Sequence, residues 1–387
     1  MSPPSLLPTR PGGRKLWVFR ALTVGAIGVF GVLVAEYGLR WRQAVISRSD
    51  ALEPGMVHYD AELGWQLAPG WTGQHRHHDF AARYSVNALG FRADTPFLPE
   101  NGAGRPTVVA GDSFTFGLGV NDDETFVHRL NASQNGGGPF VNGAIPGYST
   151  DQEALLMEKR ILGLHPERIL LVIYVGNDLL DNMLPVPMQV GSQKPYFEVT
   201  DRGLLLRNSP VPLERATGRS AQRGLLTMVL GSDSTQWALK VRLEQHSELF
   251  RIFSQSWLPE KDYAGEFGER FAPAVRLFDR LMDRIAEVCA RERVQLTVAM
   301  VAGRSFFATP GSVSAQYQDH FLQQVAKTCG GKGLTTIDLA NLMRPRYARE
   351  GGNWFFPNEG HLSASGHRVV AEILARELRR GQETRTR

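Results

Sequence analysis

Acyl transfer by a side chain needs a hydroxyl lifted clear of its neighbours and a base within hydrogen-bond reach. One stretch of this 387-residue chain has the makings of such a hydroxyl. In Val108-Val109-Ala110-Gly111-Asp112-Ser113-Phe114-Thr115-Phe116-Gly117, a short β-branched strand runs into a Gly-Asp-Ser turn. That turn raises the Ser113 oxygen at the end of a sheet. Alone, Gly-Asp-Ser is ordinary turn composition. Three later segments change its weight: Val141-Asn142-Gly143-Ala144-Ile145-Pro146-Gly147-Tyr148, Ile169-Leu170-Leu171-Val172-Ile173-Tyr174-Val175-Gly176-Asn177-Asp178, and Asn358-Glu359-Gly360-His361-Leu362-Ser363. The first is a strand end with a Gly/Pro loop, the second a buried strand ending in Gly-Asn-Asp, the third a loop ahead of an amphipathic helix. Each has a bland reading: Gly147 as a loop glycine after Pro146, Gly176-Asn177 as a plain turn, and His361 as a neighbour of the helix cap Ser363.

The four blocks together resemble the SGNH (GDSL-type) hydrolase superfamily, in its order of serine, glycine, asparagine and histidine. The turn around Ser113 differs from the Gly-x-Ser-x-Gly elbow of the α/β-hydrolases. The resemblance spans roughly residues 105–375, with a long insertion. Leu63-Gly64-Trp65 and Val86-Asn87-Ala88-Leu89-Gly90-Phe91-Arg92 are similar to the lead-in of its membrane-anchored bacterial branch. It implies that Ser113 is the nucleophile and that the oxyanion is held by the backbone N–H groups of Ser113 and Gly147 and by the Asn177 amide. His361 is the candidate base, since an imidazole with a pKa near ~6.5 can take and return the proton. Many members place an aspartate three residues before the histidine. Here that residue is the neutral Asn358, and Glu359 stands one position nearer. Glu359 is assigned as the orienting acid, with Asn358 and a backbone carbonyl as the other candidates. His367, inside the following helix, reads as structural.

Five core strands are expected at Thr107–Ala110, Phe140–Asn142, Ile169–Tyr174, Leu296–Val301 and Thr335–Asp338. Helical patterns at Asp151–Leu162, Ala274–Arg293 and Ala315–Cys329 lie between them. Such alternation predicts an α/β fold, a parallel five-stranded sheet covered on both faces. Its order resembles a flavodoxin-like three-layer α/β/α arrangement, in which ligands bind beyond the carboxyl ends of the strands. Ser113, Gly147, Asn177 and His361 all follow such ends or lie in loops beyond them, so they can converge on one rim.

Around this core the chain divides into a tail (1–15), an apolar span (16–39), a lead-in of short strands (43–104) and the hydrolase-like domain (105–380), with an insertion at 183–270. The insertion reads as a lid or a surface decoration. Within it, Tyr196-Phe197-Glu198-Val199 and Leu204-Leu205-Leu206 predict a hairpin turning at Asp201-Arg202-Gly203. Helices are expected around Leu225–Val229 and Gln236–Phe253.

The formal net charge of +4 is unevenly spread: of 43 basic and 39 acidic residues, seven basic and one acidic lie in 1–48, leaving 36 against 38. A mildly acidic body argues against a nucleic-acid partner. Ala21 to Ala35 is free of charge, and the 24 residues from Leu16 to Leu39 would reach roughly 36 Å as a helix. An uncleaved signal-anchor is expected, with a cleaved signal peptide as runner-up; Leu33-Val34-Ala35 is a poor cleavage site. The early basic cluster favours a body outside the cytoplasm, periplasmic in a Gram-negative source. Cys289 and Cys329 read as buried thiols or one bridge. No spacing suggests zinc, and His75-Arg76-His77-His78 reads as a solvated polar strand rather than a metal site.

The resulting expectation is a serine esterase that needs no cofactor. By resemblance it cleaves short acyl esters, acetyl among them, on a carbohydrate or cell-envelope substrate. Two alternatives stand beside it: O-acetyl transfer onto an exported polysaccharide, and a non-catalytic glycan-binding protein of the same fold.

Overall fold

The computed structural model describes residues 13–93, 104–133, 139–213, 243, 246–257 and 264–383. Twelve strands occur among them: β1 (Ala51–Leu52), β2 (Val57–Asp60), β3 (Gly64–Leu67), β4 (Thr72–His77), β5 (Phe80–Ser85), β6 (Thr107–Ala110), β7 (Phe140–Asn142), β8 (Arg168–Tyr174), β9 (Tyr196–Thr200), β10 (Gly203–Arg207), β11 (Gln295–Val301) and β12 (Thr335–Asp338). By contacts, the chain forms two compact units, one of Met1–Arg48 with Ser234–Pro259 and one of Ser49–Asp233 with Glu260–Arg387.

The larger unit is built on a five-stranded parallel sheet in the order β12-β11-β8-β6-β7. Every strand falls within one residue of its expected position. β8 explains why: Ile169 to Ile173 are all buried, a continuous apolar run suited to a strand covered on both faces. One cover includes Ala272–Arg291, packed on Thr150–Leu156 and Val313–Gly331; the other includes Ala364–Glu383, packed on Phe126–Ala132 and Leu339–Glu350. Helix Ala272–Arg291 buries Leu277, Phe278, Leu281, Met282, Ile285 and Cys289 on one stripe, each large side chain contributing about 1.5–3 kcal/mol. Truncating fully buried Phe278 to alanine would cost about 3–5 kcal/mol. Both cysteines are buried free thiols.

The sheet order reverses beside β6, so the crevice beyond the carboxyl ends of β6 and β8 is the natural ligand site. The helix expected at Asp151–Leu162 is α-helical only over Thr150–Leu156. It widens into a π turn at Met157–Ile161 and ends in a 3₁₀ turn at Leu162–Leu164. The wide turn buries Met157 and Ile161 while Glu158 takes a two-point ion pair from Arg284, at 2.7 and 2.8 Å.

The lead-in forms two small antiparallel sheets, β1-β4-β5 and β2-β3. The insertion begins with the expected hairpin, Gly203 pairing with Thr200 at its closed end. A buried Lys194–Asp151 ion pair ties the approach to that hairpin to the core. The helix expected around Leu225–Val229, and most of the first part of the one at Gln236–Phe253, lie outside the described residues.

In the smaller unit, Gly13–Ile46 is one helix. By length and composition it is apolar enough to cross a membrane or serve as a signal anchor. The insertion contributes a second helix here, Glu248–Trp257. Glu36 accepts the backbone N–H groups of Glu248 at 3.1 Å and Leu249 at 3.0 Å. A carboxylate at a helix start satisfies donors that the helix leaves unpaired. This part of the insertion therefore joins the N-terminal helix in its compact unit.

Candidate active site

Asp112 caps the short helix Ser113–Phe116, its Oδ1 accepting the Phe114 N–H at 2.8 Å. The cap places Ser113 on the first helical residue, with its hydroxyl at the carboxyl edge of β6. Arg92, 3% exposed, holds the other end of this turn. Its guanidinium donates to the carbonyls of Phe116, Gly117 and Val120 at 2.6 Å each and pairs with Asp122 at 2.9 Å. Five fixed donors suit arginine to a cluster of carbonyls that no helix partner satisfies.

Ser113 Oγ lies 2.7 Å from His361 Nε2, across 248 positions of sequence. On the other side of the ring, His361 Nδ1 is 2.6 Å from Glu359 Oε1, and Glu359 Oε2 accepts the His361 backbone N–H at 3.0 Å. Burial raises the Glu359 pKa, but the hydrogen bonds and charge of His361 outweigh it and hold it below the usual carboxylate range. An ionised carboxylate can only accept. Nδ1 therefore carries a proton towards Glu359, and in the neutral ring the Nε2 lone pair faces the serine hydroxyl. Phe114 packs its ring between Tyr174, with centroids 4.0 Å apart, and His361 at 4.6 Å.

Asn358 does not reach the histidine; its side chain turns to Asp79, with Nδ2 to Oδ1 at 2.7 Å. Of the residues singled out in the sequence, the fold brings Ser113, His361 and Glu359 into one hydrogen-bonded line. Asp79 was missed, since nothing local marks it.

Gly147 follows β7, and the adjacent Ile145 N–H donates to Gly111 O at 3.1 Å, tying its loop to the serine turn. Gly147 has φ +82°, and a Cβ there would meet Val190 Cγ2 at 2.3 Å. Glycine is required on both counts. Trp65 pins the same loop, its Nε1 donating to Pro146 O at 3.1 Å. Among the described residues the backbone N–H groups of Ser113 and Gly147 donate to no partner. Asn177, after β8, donates from Nδ2 to Asp181 Oδ2 at 3.0 Å, which leaves one N–H of that amide for a further acceptor. Burial pushes the Asp181 pKa up to about 6 against the donors that it accepts.

Beneath the serine lie more carboxyl groups. Burial pushes Asp112 up to about 6, against the lowering charge of His361. Its Oδ2 is 3.5 Å from Ser113 Oγ, far weaker than the histidine contact. Glu153 is fully buried with both oxygens unpartnered. Burial, then the charges of Asp112 and Asp151, drive it well above its ordinary value. Asp178 follows, raised by burial, Glu153 and Asp112 although its Oδ2 accepts the Tyr174 N–H at 2.7 Å. In all three, burial favours the protonated form.

His367 is structural as expected: 1% exposed, it accepts the Phe126 N–H on Nδ1 at 3.2 Å, and burial first, with cationic neighbours, lowers its pKa to about 3. The stretch His75-Arg76-His77-His78 differs from expectation. Only Arg76 is exposed; His75 Nδ1 lies 2.8 Å from the Tyr84 hydroxyl, and His78 Nδ1 donates to Asp50 Oδ2 at 2.9 Å. Strand β4 ends at His77, so alternation stops there and His78 swings into the hairpin turn beside its neighbour. Asp50, His77 and His78 bring ligand atoms within 4.8 Å of one another. His77 Nδ1, however, accepts the Asp79 N–H at 3.2 Å, which puts that ring's proton on Nε2, the nitrogen facing Asp50.

No protein-family model and no curated protein matches the sequence. Solved structures of similar arrangement include a lipolytic protein of the G-D-S-L family from Desulfitobacterium hafniense, 11% identical over 70% of this chain and 98% of its own, with a TM-score of 0.38. A lipase/acylhydrolase from Enterococcus faecalis is 12% identical over 71% and 95%, at 0.39. A mutant of Axe2, an acetylxylan esterase from Geobacillus stearothermophilus, is 10% identical over 71% and 94%, at 0.40.

Proposed function

We propose that this chain is a serine esterase of the SGNH type, held at a membrane by its N-terminal helix with the catalytic body outside the cytoplasm. One observation carries the reading: an unbroken line of hydrogen bonds from Ser113 Oγ through His361 to Glu359, at 2.7 and 2.6 Å. Ser113 Oγ attacks the acyl carbon as His361 Nε2 takes its proton. The carbonyl oxygen becomes the oxyanion, facing the N–H groups of Ser113, Gly147 and the Asn177 side chain, each such donor worth roughly 2.7–4 kcal/mol. Return of the proton to the leaving alcohol oxygen breaks the ester bond and leaves an acyl-serine. Water, activated by the same imidazole, then releases the acid and restores the hydroxyl. Glu359 holds the ring in the needed tautomer and stabilises the imidazolium.

The acyl group is short and the ester is carbohydrate-linked or part of the envelope. The basic residues ahead of the apolar helix, Arg10, Arg14, Lys15 and Arg20, support the outward orientation.

The test uses the full-length chain in detergent micelles with nitrophenyl acetate and a fluorophosphonate probe. Wild type should release nitrophenol and carry the probe on Ser113, and Ser113→Ala or His361→Ala should lower kcat about 10⁵-fold. Failure of the wild type in both assays refutes the enzyme. Acyl product found on added oligosaccharide, in place of free acid, would assign transfer.

A further inference from the structure

We infer that Asp79 is a positioning residue of this site, reaching it from the tip of the β4–β5 hairpin, outside the parallel sheet; the inference rests on the roles given above to Ser113, His361 and Glu359. The loop carrying Glu359 and His361 has little regular structure of its own. It is closed by the isolated bridge between Phe355 and Leu362 and by two turn bonds, Phe356 N–H to His361 O at 2.8 Å and Gly360 N–H to Phe356 O at 3.1 Å. Those bonds fix the ends of the turn; near its apex Arg304 donates to Pro357 O at 2.6 Å, which leaves the N–H groups of Asn358 and Glu359 still to be met.

Asp79 meets both. Its Oδ2 accepts the N–H groups of Asn358 and Glu359, both at 2.8 Å, and its Oδ1 accepts Asn358 Nδ2 at 2.7 Å. Its side chain is 4% exposed, and its charge strengthens all three bonds, although Asn358 itself is exposed. Asp79 is itself held: its N–H donates to His77 Nδ1, and the adjacent Phe80 packs on Phe356 at 4.8 Å between centroids. The arrangement also accounts for an amide at position 358. An acid there would set two carboxylates face to face, whereas Asn358 offers the N–H that Asp79 needs. The acid that orients the histidine has moved one residue along, to Glu359. Asp79 touches neither the reacting atoms nor His361; it acts through Glu359.

The experiment uses the full-length chain in micelles and reads kcat and KM on nitrophenyl acetate, the thermal midpoint, and the downfield proton resonance of His361 Nδ1–H. Asp79→Asn, which removes the charge behind all three bonds and leaves a single amide oxygen to accept, should lower kcat about 10- to 100-fold, keep KM within about twofold, and weaken the downfield resonance. Asn358→Asp, which opposes two charges, should do the same. The double variant Asp79→Asn/Asn358→Asp exchanges donor and acceptor and should recover most of both losses. An Asp79→Asn protein with wild-type kcat and an intact resonance overturns the inference. So does a double variant no better than the worse single one, or a fall in melting temperature with the resonance unchanged. Were the wild type inactive on every ester, the hydrolase reading would fail, and the resonance would still decide what Asp79 does.

Discussion

Carboxyl groups lie on both sides of Ser113, and the two sets differ in what faces them. At the rim, Glu359 and Asp79 are mostly shielded from solvent yet meet imidazole and amide N–H donors, and both are held below the usual carboxylate range against the pull of burial. At the floor, Glu153 and Asp178 are buried among other acids and are driven far up, with Asp112 at about 6. Burial acts in the same direction on all of them. At the rim the donors outweigh burial, while at the floor burial outweighs the backbone donors that Asp112 and Asp178 accept, so the acid closest to the serine in sequence, Asp112, is poorly suited to stabilise an imidazolium, whereas Glu359 suits that task.

The sharpest way to break this contrast is to remove the rim acid. Glu359→Ala should lower kcat about 10³- to 10⁴-fold, as expected for loss of a triad carboxylate. Asn358→Ala, which removes one donor to Asp79, should cost less than about tenfold. Equal losses would show that the rim works as one unit. Next comes Gly147, proposed above to face the oxyanion: Gly147→Ala forces a Cβ against Val190 at a positive φ and should lower kcat about 10²-fold. Val190→Ala in the same chain should recover part of that loss, since it relieves the contact and leaves the backbone strain.

The smallest effect, and one of opposite sign, is expected at Glu153. Its pKa lies above the unfolded value near 4.5, so in the window between the two the folded chain keeps a proton that the unfolded chain has released. Stability then falls as pH rises through that window, at up to about 1.4 kcal/mol per unit. Glu153→Gln should be near neutral at pH 4.5 and more stable than wild type at pH 8 by chemical denaturation. His367 works at the acid end: with a folded pKa of about 3 against 6.5 unfolded, it makes stability fall as pH drops from 6.5 towards 3. His367→Asn keeps an acceptor for Phe126 N–H and should flatten that limb.

Much of this was legible in the sequence because it is local. The central strands β6, β8 and β11 are largely apolar runs, and the serine, asparagine and histidine sit directly beyond such runs or in a loop between two elements. What escaped was of two kinds. Asp79 meets its partners from 279 positions away, and an aspartate in a hairpin turn already has a sufficient local reason to be there. Glu153 sits in the first turn of a helix, where an acid is favourable for the helix dipole alone; its burial depends on what packs above it. The histidines at the β4 end differ from a solvated polar strand because the strand stops at His77 and the turn brings His78 beside it.

Trp65, Asp79 and Arg92 each hold a different loop: the one bearing Gly147, the one bearing His361, and the turn bearing Ser113. All three come from the stretch that precedes the first core strand. A fragment cut just ahead of Thr107 would keep Ser113, Gly147, Asn177, Glu359 and His361 and lose the scaffolding that sets their spacing. Grafting this constellation onto another carrier therefore means transplanting residues 49–93 along with it.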